Sequence, residues 1–126
     1  MLVVDDTEHI RAVLADMLTL DGFDVVGTAA DGEQALVLAE QTDPHVVVMD
    51  LRMPGIDGLE TTRRMKAARP GQQVVLYTAY LDAEVERQAR EAGAALCLSK
   101  VEGLPRLERE LIRLTLTLAR PSGSPG

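Results

Sequence analysis

The stretch Val46-Val47-Val48-Met49-Asp50-Leu51-Arg52-Met53-Pro54-Gly55-Ile56-Asp57-Gly58 decides how this chain is read. Four consecutive apolar residues, three of them β-branched, describe a strand covered on both faces, as in a parallel sheet. Asp50 closes that run. A carboxylate buried at the end of a central strand is costly unless a partner compensates it, so Asp50 marks a site more readily than a turn. Pro54 and Gly55 then break the chain. Asp57, followed three residues later by Glu60, has the spacing of a helix N-cap and its N3 partner.

Working outward, the same alternation repeats. Leu2–Val4, Val25–Val26, Val74–Tyr77 and Ala95–Leu98 are further short β-rich runs. Between and after the runs lie five helical segments. Ile10, Val13, Leu14, Met17 and Leu18 form one buried stripe at helical spacing; Val85, Ala89 and Ala92 form a second, and Leu104, Leu107, Leu111, Leu114 and Leu118 a third. Asp31 with Gln34 predicts another N-cap, while Gly22, Gly71 and Gly93 stand where left-handed helix ends are wanted. Five β-then-α units with short loops imply right-handed crossovers and a doubly wound, five-stranded parallel sheet of the α/β class. Sites in such sheets lie beyond the carboxyl ends of the strands.

Composition narrows the function classes. At 126 residues the chain is one domain, long enough to bury roughly two-thirds of its unfolded surface. Its net charge of −7 argues against nucleic acid as a partner of this domain, and Phe23, Tyr77 and Tyr80 supply no stacking platform. The single cysteine, Cys97, excludes an internal disulfide and fits a reducing compartment. With no apolar run of about 20 residues and no leader ahead of the first strand, a cytoplasmic protein without a membrane partner is expected. Residues 1–119 read as the domain, and 120–126, ending Pro-Ser-Gly-Ser-Pro-Gly, as a flexible tail or truncated linker.

Three carboxylates close two of the predicted strands: Asp5 and Asp6 after Leu2-Val3-Val4, and Asp50 after Val46–Met49. If those strands are parallel neighbours, all three acids meet. Two carboxylates ~5 Å apart repel by roughly 3 kcal/mol at an effective dielectric of ~20, so the cluster calls for a cation. Oxygen-only ligands suit Mg²⁺ or Mn²⁺. Thr78 closes the fourth strand, and Ser99-Lys100 the fifth.

An acid pair, a lone acid, a hydroxyl and a lysine, each closing a different strand, resemble the receiver domain of two-component response regulators. The phrase Met49-Asp50-Leu51-Arg52-Met53-Pro54-Gly55-Ile56-Asp57-Gly58 is the most specific element, and the likeness extends to about Leu118. The resemblance implies a (βα)5 flavodoxin-like fold with strand order 2-1-3-4-5. It implies that Asp50 accepts a phosphoryl group from a sensor histidine kinase. Asp5, Asp6, Asp50 and the backbone carbonyl of Arg52 would hold the metal. Lys100 and the Thr78 hydroxyl would bind phosphoryl oxygens, with Ala79 leaving room for the incoming group. Such a domain catalyses only its own phosphorylation and dephosphorylation.

Each residue also has an ordinary reading. Asp5 and Asp6, with Thr7, could cap the first helix; Thr78 could be a strand residue and Lys100 a solvated charge. His9 and His45 lack metal-ligand spacing and are read as surface and strand-edge residues, and Tyr77 and Tyr80 as packing residues. The chain departs from the family at the switch position three before the lysine, usually aromatic and here Cys97, a small apolar filler. Val101 follows Lys100 where a proline is usual, and Tyr80 is a partial substitute for the switch aromatic. The alternative function is a Mg²⁺-dependent aspartate-nucleophile phosphatase of haloacid dehalogenase type, although that family has Asp-x-Asp where this chain has Asp5-Asp6-Thr7. A flavin or nucleotide carrier would need a phosphate cradle after the first strand, where two acids stand instead. The output surface is expected on the fourth helix (about 83–92), the fifth strand and the fifth helix. Ile112 and Leu116 fall outside the buried stripe there and suit a partner or a second copy.

Overall fold

The computed structural model describes residues 1–119, with side chains to Thr117; the expected tail at 120–126 and the side chain of Leu118 lie outside the described residues. Strands β1 (Leu2–Val4), β2 (Gly27–Ala29), β3 (Val46–Met49), β4 (Gln73–Thr78) and β5 (Leu96–Ser99) alternate with helices α1 (Glu8–Leu20), α2 (Gly32–Thr42), α3 (Gly58–Ala68), α4 (Ala83–Ala92) and α5 (Leu104–Ala119). A 3-10 turn over Lys100–Glu102 links β5 to α5. The strands form one parallel sheet in the order β2-β1-β3-β4-β5, as expected.

Strand periodicity divides the interior in two. Leu2, Val4, Val47, Met49, Val74 and Leu76 point towards α2, α3 and α4. Val3, Val46, Val48, Val75 and Tyr77 point towards α1 and α5, where Leu14, Leu18, Leu107 and Leu111 meet them. The central strands are therefore apolar at every position, which is why their composition reveals them.

The caps follow the predicted chemistry. The Asp57 carboxylate accepts from Glu60 N–H (2.8 Å) and the Asp31 carboxylate from Gln34 N–H (2.8 Å). Gly22 and Gly93 adopt the positive φ expected at helix ends. Gly71 does not. Helix α3 ends instead at Arg69, whose N–H reaches Met65 O, and Gly71 sits in the following turn.

Four other expectations are corrected. The second strand is Gly27–Ala29, not Val25–Val26: Val26 N–H donates to Met1 O (2.9 Å) and Val25 packs on the α1/α5 core, leading into an edge strand set by pairing with β1. The fifth runs one residue later than expected. Val13 lies outside the buried stripe of α1 and is partly exposed. Tyr77 is buried, but Tyr80 is 57% exposed and belongs to neither core. His9 is exposed, as expected; His45, read as a strand-edge residue, is exposed and immediately precedes β3.

Candidate functional site

The parallel register carries the strand ends to one edge. Asp5 N–H donates to Ala29 O (3.1 Å) and Asp50 N–H to Val4 O (2.9 Å), so the ladder runs on into the acids and fixes their backbones. Carboxylate oxygens of Asp5, Asp6 and Asp50 all lie within 4.8 Å of one another. The three differ in surroundings: Asp5 is buried, Asp50 nearly so, and Asp6 exposed.

Gly58 supports this edge from beneath. Its N–H donates to Leu51 O (2.7 Å), and a Cβ there would collide with the Asp50 carbonyl and lie 2.9 Å from Leu51 Cα. Only glycine lets α3 begin this close to the acid. The Asp57-Gly58 step carries this signal in the sequence, where the cap spacing alone is conspicuous.

Lys100 bridges two of the acids. Its Nζ lies 2.9 Å from Asp5 Oδ2 and 3.2 Å from Asp50 Oδ2. Burial acts to lower the ammonium's pKa, yet the hydrogen bonds and charges of Asp5 and Asp50 together hold it above the usual lysine range. Asp50 is held above the usual carboxylate range, first by burial and then by the charge of Asp5, with Lys100 and the Arg52 N–H opposing. Asp5 Oδ1 also accepts from Thr7 N–H (2.9 Å). The N-cap of α1 is Thr7, whose side chain makes no capping bond, so neither acid caps that helix by its side chain. Asp6 has no hydrogen-bond partner among the described residues.

At the end of β4, Thr78 is fully buried and its Oγ1 accepts from Tyr80 N–H (3.1 Å). Its own proton has no acceptor among the described residues, leaving the hydroxyl a donor. Ala79 is exposed and small. Arg52 N–H donates to Asp50 Oδ1 (3.4 Å), and the Arg52 carbonyl accepts no backbone hydrogen bond among the described residues. Cys97 faces away from the acids, towards α4, in a groove of about 270 Å³ lined by Glu86, Ala89, Arg90 and Arg106. Burial, then the charge of Glu86, pushes its thiol up.

The site residues expected from sequence, Asp5, Asp6, Asp50 and Lys100, thus converge at one edge, with Thr78 at the end of the next strand. Sequence reasoning did not anticipate that Lys100 would hold Asp5 and Asp50 at once. Nor did it foresee Arg52 stacked on Tyr80, its guanidinium carbon 4.1 Å from the ring centroid.

The response regulator receiver domain family matches residues 1–112. The chain belongs to this family. Receivers of this kind are in general not enzymes acting on other substrates; they bind Mg²⁺ at an acidic cluster and work with histidine kinases. This receiver is 42% identical over 105 residues to the response regulator GacA of Pseudomonas protegens, covering 82% of this chain and 49% of GacA. The chain therefore spans about half the length of that relative. Its fold superposes on the receiver domain of the putative response regulator NarL from Mycobacterium tuberculosis with a TM-score of 0.83 at 32% identity, covering 94% of this chain and 95% of that one. A Borrelia burgdorferi CheX–CheY–BeF3–Mg²⁺ complex matches with a TM-score of 0.82 at 26% identity, covering 94% and 88%. Nothing among these relatives supports a haloacid dehalogenase phosphatase.

Proposed function

We propose that Asp50 is the phosphoacceptor, taking the phosphoryl group of a phosphohistidine on a sensor kinase. The P–N bond to histidine breaks as an oxygen of Asp50 bonds to phosphorus, giving an acyl phosphate. Lys100 would pair with one phosphoryl oxygen and the free Thr78 proton with another, while Ala79 leaves space for the group. The observation that carries this reading is Lys100 Nζ held between Asp5 and Asp50, a cation already placed beside the nucleophile.

The donor set fits a hard divalent ion. Three carboxylates against one ammonium leave two negative charges when Asp50 is ionised, and every candidate ligand is oxygen. Asp5, Asp6, Asp50 and the Arg52 carbonyl would hold Mg²⁺ (or Mn²⁺), which when bound supplies charge neutralisation for a polyanionic donor. The Borrelia burgdorferi CheX–CheY complex, a neighbour in fold, includes Mg²⁺ together with BeF3, in support of this assignment.

The remaining readings follow from the same frame. Residues 1–119 form the receiver domain and 120–126 its tail or linker. The domain modifies only itself and is not an enzyme on other substrates. It binds no nucleic acid itself, given its charge of −7. No helix among the described residues is long and apolar enough to cross a membrane, and the protein acts in the cytoplasm. The surface of α4, β5 and α5, where Ile112 and Leu116 are exposed, serves as the output face, with a second copy as one partner. Cys97 cannot supply an inward-swinging aromatic ring, so phosphorylation shifts this face by only about 1 kcal/mol, the low end of ordinary two-state coupling.

Intact-mass measurement after acetyl phosphate treatment tests the assignment. One phosphoryl adduct is expected on the parent, absent in Asp50→Asn and in EDTA. An adduct of undiminished yield in Asp50→Asn would overturn it.

A further inference from the structure

Away from the acid edge, at the amino ends of the strands, α2 and α3 finish beside one another. An open groove of about 350 Å³ lies between their last turns. Ala39 and Met65, both buried, line it with the half-buried Leu36, so its floor is apolar. Around that floor stand Glu40, Arg64, Arg69 and Gln72.

Gln72 is 3% exposed, and all but one of its polar groups are taken. Its N–H donates to Arg69 O (3.1 Å), and its carbonyl accepts from Lys66 Nζ (2.7 Å). Its Nε2 donates to Ala39 O (3.2 Å) and to Asp43 Oδ1 (3.3 Å). Only Oε1 is left, buried and without a partner among the described residues. Turning the amide over brings no relief, since Oε1 would then face two acceptors. A buried acceptor left unpaired is costly, so a donor entering the groove is stabilised there.

The charges select the donor. Arg64 pairs with Glu60 (2.9 Å), while Arg69 lies 3.8 Å from Asp43 and donates to Ala39 O (2.9 Å). Glu40 is exposed and makes no hydrogen bond or ion pair among the described residues. The carbonyl ends of α2 and α3, the negative ends of their dipoles, lie at the same groove, and α2 has no basic residue in its last turn. The groove thus offers an apolar floor, a carboxylate and an amide oxygen, with both of its own cations already engaged.

We infer that the α2/α3 groove is a docking site for an arginine side chain of a partner protein. The methylenes lie on Ala39 and Met65, and the guanidinium donates to Glu40 and to Gln72 Oε1. A guanidinium suits the groove better than an ammonium, because its forked donors serve two acceptors and it is more weakly hydrated. Free arginine suits it less, because its own carboxylate meets Glu40 and Asp43 with no unengaged cation to offset the repulsion.

Titration of the isotope-labelled full chain with the blocked peptide acetyl-Ala-Arg-Ala-amide, read by amide NMR shifts, tests the assignment. Saturable shifts are expected in the last turns of α2 and α3 and in the Gln72 side-chain amide, larger than any at Asp5, Asp6 or Asp50. Glu40→Gln should weaken binding about twofold to fivefold. Gln72→Met should weaken it about tenfold, and if that variant does not fold, Glu40→Gln decides alone. The matching citrulline peptide, neutral and of similar shape, should give no saturable shift. Binding unchanged in Glu40→Gln, or shared equally by the lysine peptide, overturns the site. Free arginine bound as tightly as the arginine peptide overturns a partner protein as the source. Sedimentation of the chain alone addresses the remaining occupant: any self-association should be unaffected by Glu40→Gln, and its loss would make the occupant a second copy and overturn the proposal.

Discussion

Strands β4 and β5 are neighbours and each delivers one group to the same pocket, yet they are built in opposite ways. From Val74 to Thr78, β4 is buried at every position, and Thr78 is placed by the interior. In β5 only Leu98 is buried, and Lys100 hangs from a 3-10 turn whose next residue, Val101, is 85% exposed. Packing places the hydroxyl, whereas two carboxylates place the lysine. A receiver built this way holds its hydroxyl by packing and its lysine by charge, so substitutions in the two strands should differ in their cost to stability.

The largest effect should come from the packed side. Leu76→Ala on β4 removes a fully buried side chain between α3 and α4 and should cost about 3 kcal/mol in urea unfolding. The matching Leu96→Ala on β5, half-buried, should cost about 1 kcal/mol. Equal losses would erase the contrast.

Next is the electrostatic anchor. Lys100→Ala leaves the buried Asp5 without its counterion and should cost about 1–3 kcal/mol in metal-free buffer. Millimolar Mg²⁺ should recover most of this as a rise in melting temperature. The pH dependence has a definite sign. Asp50 is raised above its ordinary value, so the folded state binds that proton more tightly than the unfolded chain does. Its stabilising contribution is present at low pH and is lost as pH climbs from the ordinary carboxylate range through the raised value. Removing Lys100, which opposes the shift, should carry that loss to higher pH. A stability profile for Lys100→Ala that parallels the parent's throughout would show that the lysine does not anchor the pair.

The smallest effect on stability should be at the exposed side of α5. Leu116→Glu should change unfolding free energy by no more than about 0.5 kcal/mol. In sedimentation with beryllofluoride it should weaken self-association or partner capture. A monomer under every condition, with no partner lost, would show that this face is not an output surface.

How much was visible in advance follows the same division. Val46–Met49 and Val74–Tyr77 declare themselves because burial on both faces demands unbroken apolar runs. Gly27-Thr28-Ala29 has no such pattern; as an edge strand it owes its place to β1, and propensity pointed instead to the Val25–Val26 lead-in. The proximity of Asp5, Asp6, Asp50 and Lys100 was legible because each stands just past a strand end, and parallel order brings those ends together. What escaped were relations between loops: Lys100 shared by Asp5 and Asp50, the clearance at Gly58, and the stack of Arg52 on Tyr80. Such pairings depend on where side chains end, and no local spacing encodes that.

The division of the interior into two cores has a kinetic consequence. A single sheet separates them, and the α1/α5 side meets α5 chiefly through Leu107 and Leu111. Amide hydrogens of α5 and β5 should therefore exchange with solvent through partial openings that leave the β1–β3–β4 centre closed, while those of β3 wait for global unfolding. A chemical event at the pocket need then disturb only the least protected cooperative unit of the domain.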